Sequence, residues 1–88
     1  MSTPQPVDVI CVCQADGSIR PLRLRLENEE NMMVRVDVEE VLSTRKVDFV
    51  GVEALIFLCR IHLCGRAKVI ELKYTFRNHS WWLCRQMY

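Results

Sequence analysis

Leu22, Leu24 and Leu26 alternate with Arg23 and Arg25. A period of two sorts side chains onto opposite faces of a pleated strand, whereas a helix would scatter these leucines around its circumference. Leu and Arg favour helices by intrinsic propensity, so here periodicity outweighs propensity. The three leucines are therefore expected to face one core. The same two-step pattern runs through most of the chain. Val7 to Gln14 is a β-branched run with Val7, Val9, Cys11 and Cys13 on one face. Ala15-Asp16-Gly17-Ser18 carries an Asp-Gly pair, a hairpin signal, and Ile19–Glu27 is the return strand. Pro21 donates no amide hydrogen, which predicts that this strand lies at an edge or is bulged near Pro21.

Met33 to Val50 is too long for one ordinary strand. Val34, Val36 and Val38 hold one parity; after Glu39-Glu40, Val41, Val47 and Phe49 hold the other. A slip of one residue is what a β-bulge or sharp bend produces. The stretch reads as Met33–Val38 plus Val41–Val50, either one strongly bent strand or two strands. Gly51 marks a turn, with room for a short helical turn over Gly51–Ala54. Ala54–Leu63 is apolar on both faces and should be central. After the turn Cys64–Ala67, Ile70, Leu72, Tyr74 and Phe76 alternate with Glu71, Lys73, Thr75 and Arg77 and are expected to point inward. Asn78-His79 reads as a tight turn and Ser80–Gln86 as the last strand.

The fold class that follows is all-β with little or no helix. We expect a small antiparallel barrel of five to six strands, SH3-like or OB-like, or else a strongly bent sheet. Residues 1–6, with two prolines, read as an extended or disordered lead-in, and 7–88 as a single β domain. The stretch Asp16 to Leu24, followed by Val36, Val38 and Val41, by Cys59-Arg60-Ile61 and by Trp82, resembles a class of short uncharacterised bacterial proteins. That resemblance implies a bacterial, cytosolic protein and carries no activity, cofactor or functional residue with it.

Composition narrows the chemistry. The chain has 88 residues, 50% of them hydrophobic, and a net charge of +1. That combination opposes disorder and opposes a strongly polybasic nucleic-acid binder. Its longest uninterrupted apolar stretch, Ala54 to Cys59, is far short of the roughly 20 residues a membrane helix needs. An odd number of cysteines, five, without a basic and apolar leader, points to free thiols in the cytoplasm. Cys11 and Cys13 share a strand face, and Cys59 and Cys64 span most of a strand. Neither spacing is a zinc knuckle, so the thiols read as small hydrophobes and neither metal nor cofactor is expected. Cys59 or Cys64 with His62 or His79 would be the only nucleophilic pairing, and no acid follows nearby to complete it. No phosphate-binding glycine loop or hydrolase motif occurs, no small-molecule substrate suggests itself, and the chain is expected not to be an enzyme.

Two binding surfaces remain. Trp81 and Trp82 are adjacent, so on a strand only one can join a single core. The other, with Met87 and Tyr88, would form an apolar contact patch for a protein partner or a second copy. The alternative is a nucleic-acid face built from Arg23, Arg25, Lys73 and Arg77. Nine of the twelve basic residues are Arg, and residues 41–88 carry 8 basic and 3 acidic groups, net +5. Strand surfaces also carry such charges simply to stay solvated, with Arg and Glu paired across strands.

Overall fold

A computed structural model of the chain describes residues 3–87. It contains seven strands and no helix: β1 (Gln5–Pro6), β2 (Val9–Cys13), β3 (Ile19–Glu27), β4 (Met33–Phe49), β5 (Val52–Leu63), β6 (Arg66–Thr75) and β7 (Ser80–Met87). Every pairing is antiparallel, and from β2 to β7 each strand lies beside the next. The all-β expectation is met, with one or two more strands than the pattern suggested. β1 accounts for one of them. It pairs with the last strand, Gln5 opposite Leu83 and Pro6 opposite Trp82.

That pairing forces the sheet to curl. β1 sits at one edge of the sheet and β2 at the other, yet only Val7 and Asp8 separate them. Val7 N–H donates to the Trp81 carbonyl at 3.1 Å, and Arg25 N–H donates to the Asp8 carbonyl at 3.2 Å. Residues 5–13 thus stitch the two edges of a curled, half-barrel sheet. The accessible surface is 6311 Å², above the roughly 5,400 Å² expected for a compact chain of this mass. The excess reflects a sheet that is not wrapped on every side.

β5 is the middle strand, as its two-faced apolarity predicted. Phe57, Cys59, Ile61 and Leu63 point into the concave core with Ile70, Leu72 and Tyr74 of β6. Each such fully buried large side chain contributes about 1.5–3 kcal/mol through removal from water. Ala54 and Ile56, of the opposite parity, are buried as well. By register Ile56 lies beside Arg45 and Lys73, and Lys73 lies beside Trp82, so these residues form a row across the convex face.

Three irregularities shape the curl. In β3, Cys11 faces Pro21 and Ile10 faces Arg23, which leaves Leu22 as an extra residue. The strand is bulged at its proline, and β4 flanks its other side only from Arg23 to Glu27, so around Pro21 it pairs with β2 alone. The bulge shifts parity, so Pro21 is buried and Leu22 is 40% exposed, while Leu24 is 1% exposed. Leu22 is therefore not the inward tooth that alternation implied. The parity slip at Glu39-Glu40 also appears, as register shifts between Val38 and Glu40 and between Val41 and Ser43. One bent 17-residue strand results, not two. Finally, Cys84 is the extra residue where β7 meets β6.

The connections are tight. Val50-Gly51 and Cys64-Gly65 each place two consecutive residues at positive φ, 53° and 82° in the first, 55° and 75° in the second. Two-residue turns of this hand match strand twist, and no helical turn occurs at Gly51–Ala54. β6 ends at Thr75, and Phe76 opens a four-residue turn through His79. Phe76 is consequently half exposed, packed edge-on to Tyr74 with ring centroids 5.4 Å apart, instead of pointing into the core.

Candidate interaction edge

β4 is longer than either of its neighbours, and the difference defines the site. β3 pairs with β4 only from Met33 to Asp37. At the Glu39-Glu40 bulge β3 peels away to join β2, while β4 continues alongside β5 to Phe49. Among the described residues, β4 from Val38 to Phe49 is therefore paired on one side only. The Phe49–Val52 pair closes a two-residue turn, so it exchanges both its hydrogen bonds, and every second pair back along the hairpin does the same. Thr44, Lys46 and Asp48 fall on the alternate positions. Their amide and carbonyl groups aim away from β5, toward open solvent. From Ser43 to Phe49 the ladder runs without a bulge, and β4 contains no proline.

The charges on this edge are arranged unevenly. At the bend, Arg60 reaches Glu40 and lies 3.8 Å from Glu39, and His62 Nδ1 contacts Glu39. Those two carboxylates are thus already partnered. Further along, Lys46 Nζ lies 2.7 Å from Glu53, and this contact raises the Lys46 pKa. Asp48 accepts a hydrogen bond from Gly51 N–H at 3.0 Å and faces Glu53 directly across the hairpin, like charge against like. Surface pairs of this kind are each worth little alone, but directly opposed carboxylates are mildly unfavourable. Val50, at the tip, is 99% exposed. Where β3 and β4 diverge, Arg20, Leu22, Glu39 and Val41 help to line a cleft of about 540 Å³.

The residues singled out from the sequence lie elsewhere. Trp81 is buried at 7% exposure, stacked on Phe57 with centroids 5.6 Å apart and tilted against Tyr74 at 5.0 Å. Trp82 lies half-buried on the convex face. Its Nε1–H donates to Ser80 Oγ at 3.0 Å, and Lys73 Nζ sits 5.9 Å from its ring centre. Met87 is half-buried at the end of β7, and Tyr88 lies outside the described residues. The two indoles thus point to opposite sides of the sheet and build no common patch. Among the basic residues, Arg23 bonds Asp37 at 2.7 Å and Arg25 is paired with Asp8. Lys73 covers Trp82, and Arg77 stands in the β6–β7 turn. Arg23 and Arg25 lie on β3, which β4 and β5 separate from β6.

The thiols are dispersed. Cys59 is fully buried, and burial pushes its pKa up to about 12. Cys11, Cys13 and Cys64 are exposed, and Cys84 is half-buried with its pKa raised by burial. His79 Nδ1 is held by the Tyr74 hydroxyl at 2.7 Å. Burial, then the charges of Cys11 and Cys13, raise the Tyr74 pKa. Among the described residues no three His, Cys, Asp or Glu side chains converge as a metal site, and no helix is long and apolar enough to cross a membrane.

The β4 edge was not singled out in the sequence, although a signal was present. A 17-residue run of strand formers beside a nine-residue neighbour must leave part of its length unpaired. No protein-family model matches this chain, and neither a curated protein nor a solved structure resembles it significantly.

Proposed function

We propose that this protein is a small non-enzymatic β module of the cytoplasm that contacts a protein partner, a second copy included, by adding a strand to the open edge of β4. The observation that carries this reading is the one-sided pairing of β4 from Val38 to Phe49. An unpaired strand edge is a ready template for another strand, because its N–H and C=O groups are already spaced for a ladder. The dispersal of thiols and imidazoles supports a module without catalysis. The burial of Cys59 supports it further, because a thiol held near pKa 12 is a poor nucleophile.

Amide hydrogen exchange tests the edge directly. The amides of Thr44, Lys46 and Asp48 are expected to exchange quickly in dilute protein and to slow as concentration rises. Thr44→Pro deletes a donor that serves no bond to β5, so it should block this protection while leaving the circular dichroism spectrum intact. Slow exchange at these three amides in dilute protein, which would show them already bonded within the chain, overturns the reading.

A further inference from the structure

Building on the β4 edge as the contact surface, we infer that its occupant is a second copy of this chain, paired antiparallel about a two-fold axis at Val47. Residues whose backbone groups face the open edge must meet one another, which permits only registers that pair Thr44, Lys46 and Asp48 among themselves. Charge and the bulge then choose between those registers. A pairing centred on Arg45 sets Arg45 against Arg45 of the second copy. One centred on Lys46 opposes two lysines, and one centred on Asp48 opposes two aspartates; these three set like charges directly opposite, which is unfavourable. One centred on Thr44 would run Lys46 and Asp48 of each copy into the bulge at Leu42 of the other, where the regular ladder ends. The register centred on Val47 instead sets Lys46 against Asp48 of the second copy, twice by symmetry, with the valines adjacent at the axis.

This register also resolves a conflict within each chain. Asp48 faces Glu53 across the hairpin, and Lys46 of the same chain lies 2.7 Å from Glu53. In the assembly the Lys46 of one copy arrives on the open side of the other copy's Asp48. Each carboxylate pair then gains a second cation. Thr44 is brought beside the turn residue Val50 of the other copy, and Val50 is otherwise 99% exposed. Such an interface is isologous and closes as a dimer, so the edge is consumed and does not propagate into a fibre.

Sedimentation equilibrium on the full chain, with Lys46→Asp, Asp48→Lys and the double swap, tests the inference, and circular dichroism checks that each is folded. Each single swap converts two attractions into two repulsions and should raise the dissociation constant roughly fivefold to thirtyfold. The double swap restores both pairs and should return the constant to within about threefold of the original. Raising salt should weaken the parent dimer and strengthen the single variants. A dimer blocked by Thr44→Pro but indifferent to the swaps overturns the Val47 register while leaving the β4 edge as the contact. Association indifferent to Thr44→Pro and to the swaps, or a chain monomeric at every concentration, overturns the dimer, and in the first case the edge with it.

Discussion

Replacing each tryptophan by alanine should separate two neighbouring residues by several kcal/mol. Trp81 is 7% exposed and touches both Phe57 and Tyr74. A buried indole removes about 150–250 Å² from water, worth about 4–6 kcal/mol at 25 cal/mol per Å². Large aromatic-to-alanine changes in cores cost about 3–5 kcal/mol. A small domain of this length has a total stability of about 4–13 kcal/mol, so Trp81→Ala should leave a barely folded chain. Trp81→Phe keeps most of the ring contact and should cost about 1–2 kcal/mol. Trp82 has only a half-buried face, a hydrogen bond to Ser80 and Lys73 above it. Its loss to alanine should cost about 1–2 kcal/mol. Thermal unfolding followed by circular dichroism would register this as a fall of about 4–8 °C per kcal/mol. The intact protein should show one quenchable and one shielded tryptophan when titrated with acrylamide, and Trp82→Ala should abolish the quenchable fraction. Equal costs at the two positions, or a larger cost at Trp82, would refute the assignment of inside and outside.

The parity shift in β3 predicts that Leu22→Asp changes stability by less than about 0.5 kcal/mol, whereas Leu24→Asp unfolds the chain; urea titration distinguishes them, and equal sensitivity would place the bulge wrongly. An aromatic disulfide reagent at mildly alkaline pH should modify Cys11, Cys13 and Cys64 promptly, Cys84 slowly, and Cys59 only on unfolding. Because Cys59 has a raised folded pKa, the native state holds its proton more tightly than the unfolded chain does. Its contribution to stability is thus complete below about pH 9 and is lost as pH climbs toward about 12. Cys59→Ala should flatten that alkaline decline, and an unchanged slope in urea midpoints from pH 8 to 11 would contradict the burial.

Most of the fold was legible because its evidence is local. Alternation in Lys68–Thr75 and the two-faced apolarity of Ala54–Leu63 report directly on which way side chains point. Even the bend in β4 was visible, since two acidic residues interrupt an otherwise regular row of valines. Pro21 marked the bulge, but Leu22 was misread because which residue becomes the extra one is set by the pairing with Ile10-Cys11, and nothing in those two residues reveals it. Phe76 was misread because strand ends are set by pairing: Thr75 has a partner in Ser80, and beyond it the chain turns. The pairing of Gln5 with Leu83 left no trace in any periodicity, because two residues are too few to show one. The unpaired length of β4 lay outside the sequence reading for a related reason. Which neighbour departs, and where, is decided by how the whole sheet curls.

The stitch made by residues 5–13 has a kinetic corollary. Every other junction in the sheet joins strands adjacent along the chain, and these can zip hairpin by hairpin at small entropic cost. Gln5 and Leu83, by contrast, must find one another across nearly the entire polypeptide. On a ribosome β1 emerges well before β7 and would wait for it before its backbone is satisfied. Closure of this seam is then expected late in folding, and its reopening early among excursions from the native state.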